Sequence, residues 1–92
     1  MLKKFVIERD IPKVGRLDHT QLSGVAINSN AALEKMNGRV QWVHSLIAAD
    51  KTFCFYMAES ADDVRKHAQV AGIPANIVTE IETTIDGSWA RP

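Results

Sequence analysis

Val40-Gln41-Trp42-Val43-His44-Ser45-Leu46-Ile47, then Ala48-Ala49-Asp50-Lys51, then Thr52-Phe53-Cys54-Phe55-Tyr56-Met57-Ala58 is the stretch that decides the fold. Both flanks are dense in β-branched and aromatic residues, which suit a pleated, half-buried surface, and a short turn separates them. The stretch predicts a β-hairpin. In its second strand, alternation puts Phe53, Phe55 and Met57 on an apolar face and Cys54 and Tyr56 on a mixed one. In its first strand the same parity groups His44 with Trp42 and Leu46, and sends Gln41, Val43 and Ser45 the other way.

Working outward, Leu22, Val25, Ala26, Ala32, Leu33 and Met36 recur at three- and four-residue steps before the hairpin. This spacing predicts a helix from His19-Thr20, capped by Thr20 or Asp18 and stopped at Asn37-Gly38. Gly24 and the polar run Asn28-Ser29-Asn30 lower its propensity. After the hairpin, Ser60 caps a second helix through Asp62, Asp63, Val64, His67, Ala68 and Ala71, with Gly72 as its stop. Asp62 and Asp63 complement the helix dipole and need no catalytic explanation. At the two ends, Leu2–Arg9 reads as a strand closed by Asp10-Ile11-Pro12, and Ile77–Ile85 as a strand ended by Asp86-Gly87.

The resulting order, β-α-β-β-α-β, is the split βαβ arrangement. The expected fold class is therefore α+β, a ferredoxin-like sandwich with a four-stranded antiparallel sheet and two helices on one face. One domain is expected over residues 1–92, with a core over about 2–86 and a short tail over 87–92.

The 92 residues are 46% hydrophobic and 24% charged, a globular balance. A chain of this size buries only about 60% of its unfolded surface, and two helices leave one sheet face bare. A homodimer is expected to cover it. Eleven basic residues balance eleven acidic ones without a basic run beyond Lys3-Lys4, so no nucleic-acid partner is expected. No apolar stretch approaches the roughly 20 residues needed to span a bilayer, and no signal peptide or membrane partner is expected. The single cysteine, Cys54, excludes an internal disulfide framework and suits a reducing cytoplasm, the expected location.

The histidines His19, His44 and His67 lie far apart in the chain, so no local metal motif exists and the fold must assemble any shared site. His44 is expected beside the Trp42 indole, and His67 on the apolar stripe of the second helix with Val64 and Ala71. With Glu8 these are the candidate metal or ligand-binding residues. Tyr56, Cys54 and Trp42 are the candidate pocket lining. A carboxylate, an imidazole, a phenol and a thiol converging there suit a transition metal or a small polar ligand. The plainer account makes the histidines core-edge residues held by backbone carbonyls, Cys54 a small hydrophobe, and Glu8-Arg9 a solvated strand end. Serine hydrolase, P-loop, Rossmann and thioredoxin motifs are all missing.

Phe5-Val6-Ile7-Glu8-Arg9-Asp10-Ile11-Pro12, Gln41-Trp42-Val43-His44-Ser45, Cys54-Phe55-Tyr56-Met57-Ala58, His67-Ala68 and Gly72-Ile73-Pro74-Ala75-Asn76 together resemble a bacterial family of ferredoxin-like domains. That family is related to an actinobacterial nickel-responsive, nickel-binding protein. The resemblance covers nearly the whole chain and implies the fold, and with it nickel as a ligand. His67 matches a histidine of the nickel-binding relative most readily. Where that relative is richer in histidines, Val6–Asp10 supplies Glu8 and no histidine.

Three function classes follow. The first is a small dimeric protein binding nickel, zinc or a small polar ligand through His44, His67 and Glu8. The second is a cofactor-independent enzyme of the dimeric α+β barrel type, with a pocket histidine as general base oriented by Tyr56 or Glu8. The third is a partner module that recruits another protein through its bare sheet face.

Overall fold

Alternation along the strands and three-to-four-residue spacing along the helices yield the elements in the expected order. The structure, a computed structural model, describes residues 1–90. β1 is Lys3–Asp10, α1 His19–Glu34, β2 Val40–Ile47, β3 Lys51–Ala58, α2 Ala61–Ala71 and β4 Ile77–Ile81, with single 3-10 turns at Val14–Arg16 and Gly87–Trp89. The sheet is antiparallel with strand order β2-β3-β1-β4. This is the ferredoxin-like α+β fold. The last strand is shorter than expected. Lys4 is the last β1 residue that pairs with it, opposite Ile81, so the β-branched residues beyond find no partner strand. The expected tail runs on to 91–92, which lie outside the described residues. No helix among the described residues is long and apolar enough to cross a membrane.

β1 and β3 alternate strictly. Phe5, Ile7 and Arg9 are buried on the helix side of the sheet, as are Thr52, Cys54, Tyr56 and Ala58. β2 does not alternate. Its register passes from Trp42 opposite Tyr56 to His44 opposite Phe55 and Ser45 opposite Cys54, so Val43 is the extra residue of a β-bulge. An inserted residue reverses the facing of everything after it. Trp42 and Ser45 therefore share the inner face, where the indole Nε1–H donates to Ser45 Oγ at 2.9 Å. His44 goes to the open face and tilts against Phe55, with ring centroids 5.0 Å apart. The expected pairing of His44 with Trp42 is thus overturned, while its pairing with Leu46 stands.

The core is built from Phe5, Ile7, Met36, Val40, Cys54, Tyr56, Ala58 and Val64. Full burial of one such larger side chain contributes about 1.5–3 kcal/mol. Asp18 caps α1 in a reciprocal box: Gln21 N–H donates to Asp18 Oδ1 at 2.8 Å, and Asp18 N–H to Gln21 Oε1 at 3.0 Å. α2 starts at Ser60, whose Oγ accepts from Asp63 N–H at 3.2 Å, and ends at Gly72 in the left-handed region at φ 72°.

The polar run that lowers α1's propensity has a tertiary purpose. Asn28 Nδ2 donates to the Ala71 carbonyl at 2.8 Å, satisfying one of α2's terminal acceptors. One residue on, the Ser29 carbonyl lies 3.3 Å from His67 Nε2, which donates to it. His67 is fully buried and its Nδ1 has no partner among the described residues. Loss of solvent holds its pKa below the ordinary 6.5, against the raising effect of the Ser29 carbonyl, with the Arg9 charge lowering it further.

The β1–α1 loop is tied to the β2–β3 turn. Ile11 N–H donates to the Asp50 carbonyl at 3.1 Å, Gly15 N–H to the Ala49 carbonyl at 2.9 Å, and Lys13 N–H to Asp50 Oδ1 at 2.7 Å. A Cβ at Gly15 would lie 2.7 Å from the Ala48 carbonyl oxygen and 2.8 Å from Ala49 Cα, both backbone atoms. Gly15→Ala is therefore expected to lower unfolding free energy by about 1–3 kcal/mol in urea titrations. Gly24→Ala, on an open face of α1 with nothing within 4 Å, is expected to raise it by about 0.5–1 kcal/mol.

A second expectation concerns pH. Because His67's folded pKa is depressed, its unfolded form binds the proton more tightly. Stability is then complete above about pH 6.5 and falls as pH drops toward the folded value, with a slope of up to about 1.4 kcal/mol per pH unit. His67→Gln keeps a donor for the Ser29 carbonyl and should flatten that slope in denaturant titrations between about pH 6.5 and 5.

Candidate functional site

The sheet itself divides the residues expected to meet. Glu8 follows Ile7 and precedes Arg9, both buried, so it turns to the open face opposite Phe53, where Lys51 Nζ lies 3.7 Å from its Oε1. His44 is on the same face but two strands away, on β2. His67 lies beneath the opposite face, on α2, with its ring 5.1 Å from that of Tyr56. His19 is exposed at the start of α1. Within one chain His44, His67 and Glu8 are not brought together. The described residues contain no group of three His, Cys, Asp or Glu side chains placed to hold one metal ion. The set does not fit a metal centre within a single chain.

A cavity of about 480 Å³ lies on the inner side, between β1, β2 and β3 and the N-terminal half of α1. Trp42, Ser45, Thr52, Cys54 and Tyr56 of the hairpin form its floor, with Arg9 at one end. Leu17, Leu22 and Val25 close it from α1 and its approach, and Ile73-Pro74 from the segment after α2. The volume falls within the range of about 300–1,000 Å³ usual for small-molecule sites. The bulge at Val43 helps to make this wall: without it Ser45 would face out and His44 in. Cys54 is a free, buried thiol that donates weakly to Thr52 Oγ1 at 3.5 Å.

Arg9 is the residue that dominates the cavity. It is 1% exposed. Nη1 donates to the Pro74 carbonyl, Nη2 donates to Tyr56 Oη at 3.1 Å, and Nε has no partner among the described residues. Burial pushes the Tyr56 phenol above its ordinary pKa, the Arg9 charge only partly opposing this. Tyr56 is therefore neutral, accepts from the guanidinium and keeps its own hydrogen to donate. Reading Glu8-Arg9 as a solvated strand end misses Arg9. Its signal was its parity with Phe5 and Ile7. His67 is packed beside Tyr56 and does not line the cavity.

The sequence description "Nickel responsive protein SCO4226-like" matches residues 5–81 of the chain. No curated protein matches it. Among solved structures, SCO4226 from Streptomyces coelicolor A3(2) superposes with a TM-score of 0.74 at 16% identity, covering 89% of this chain and 99% of that one. At that identity the likeness speaks for the fold. With most of its length matched by the family description, from within β1 to the end of β4, the chain belongs to the SCO4226-like family of nickel responsive proteins.

Proposed function

We propose that the protein is a small homodimeric ligand-binding protein whose ligand occupies the cavity between the sheet and α1. The observation that carries this reading is an apolar chamber of about 480 Å³ into which a few polar side chains, Arg9, Ser45, Thr52 and Tyr56, converge. A general-base enzyme is less well supported, because the fully buried His67 does not line the chamber and His44 lies beyond the sheet.

Support for the dimer comes from the open face. Val6, Phe53, Phe55 and Met57 stand there with Leu46 and Ile77, the last two about half exposed. An apolar sheet face of this kind needs a second layer, and a second copy is the simplest one. The family description supports nickel, with zinc as its usual competitor, as a second ligand. Of the three expected donors, only His44 and Glu8 remain reachable by an ion from solvent, and donors from a second copy would be needed beside them. Arg9, whose charge reaches His67 and Tyr56, repels a cation on the inner side.

In nitrogen-15 NMR titrations, a set of small apolar-bodied molecules with polar heads is expected to shift the amides of Arg9, Ser45, Thr52 and Tyr56, and Val25→Trp to suppress those shifts. Shifts confined to other surfaces would refute the cavity as the site. For the assembly and the metal, light scattering is expected to read twice the chain mass. Phe55→Glu should halve it and lose any nickel retained in equilibrium dialysis. His44→Ala should lose the nickel alone, and loss in His67→Gln instead would put the ion on the inner side.

A further inference from the structure

We infer that the cavity's ligand is a small organic anion, a carboxylate on an apolar body, with its head group paired to Arg9 and Tyr56. This rests on the reading of the cavity as the ligand site and names the class of molecule that fills it.

The argument begins with charge. A guanidinium cannot discharge itself by losing a proton, as a buried lysine or histidine can. Arg9 is buried, yet among the described residues it makes no ion pair, and its identified partners are a carbonyl and a neutral phenol. Buried charges in proteins are ordinarily paired, because the loss of hydration is otherwise uncompensated. The one acid whose residue touches the cavity, Asp10, turns its carboxylate to the open face, 3.8 Å from Lys51 Nζ. The positive charge is therefore left for something that enters from outside.

Hydrogen-bonding capacity points the same way. Arg9 Nε–H is unused, and the fork of a guanidinium matches the two oxygens of a carboxylate. Tyr56, held neutral, offers a hydroxyl hydrogen beside it. The rest of the wall sets the body of the ligand: Leu17, Leu22, Val25, Trp42, Ile47 and Ile73 present aliphatic and indole surface. An inorganic anion alone would leave that surface unused, and a cation would meet the Arg9 charge.

The test compares phenylacetate with phenylacetamide, which has the same shape without the charge, and with inorganic phosphate, by NMR titration of the full chain. Phenylacetate is expected to bind about tenfold or more tightly than the amide, as a charge-assisted pair requires. Arg9→Met should bring that ratio close to one. Tyr56→Phe, which keeps the ring in the core, should weaken phenylacetate severalfold and the amide, whose neutral carbonyl is the weaker acceptor, by less, so the test does not depend on the Arg9 variant folding. Equal binding of acid and amide by the wild type overturns the anion assignment and leaves the cavity as the ligand site. Phosphate binding as tightly as phenylacetate overturns the organic part. If the acid and amide bind nowhere at millimolar concentration, both readings fall.

Discussion

The pairing of β1 with β3, from Lys3 opposite Ala58 to Asp10 opposite Lys51, is the constraint on which the rest of the molecule depends. β1 is held on both sides, by β3 and by β4, so its two-residue period is rigidly imposed. The same alternation that drives Phe5 and Ile7 into the core drives Arg9 in after them, and sends Glu8 and Asp10 out to Lys51. A strong base is thereby buried without having been selected by any local propensity. Its position is a consequence of register.

From that position the inner site acquires its character. Arg9 adds to the lowering of His67's proton affinity that burial begins, works against the effect of burial on Tyr56, and draws the phenol oxygen into a hydrogen bond. Burial favours the neutral forms of Tyr56 and His67, and the cavity is left with one fixed positive charge among apolar walls. α1 covers the chamber with Leu22 and Val25 and is tied to α2 farther along. Asn28 and Ser29 join α1 to α2 through Ala71 and His67, while the tether at Gly15 holds the loop that carries Val14, one of the chamber's lining residues, against the hairpin turn.

The open face has a different chemistry. His44 and Glu8 lie there among Phe53, Phe55 and Leu46, separated from His67 by the thickness of the sheet. A family described by nickel responsiveness and a chain with a cationic, cavity-bearing interior are compatible once the two faces are treated as separate surfaces. On the proposed reading, metal chemistry falls to the exposed imidazole and organic-ligand chemistry to the buried guanidinium.

Most of the fold was legible in the sequence. The hairpin and the Ser60 and Gly72 limits of α2 follow from local preferences that tertiary packing did not override, and of the two caps open for α1, Thr20 and Asp18, the structure takes Asp18. The limit of β4 was not legible, since it depends on where β1 runs out. Of the candidate site residues, Tyr56, Cys54 and Trp42 could be assigned to a face by parity, because nothing interrupts the period up to them. His44 could not. The bulge at Val43 is a property of how β2 registers on β3, and no residue near it carries a turn signal that would announce the extra position. By itself the sequence determined the order of the elements, the caps of α2 and the two-faced character of the strands, all of which act within a few residues along the chain. Only the tertiary structure decided which face each polar group serves, because that depends on pairing between distant strands. It is this pairing that buries Arg9 without an acid and sets His44 and His67 on opposite sides of the sheet.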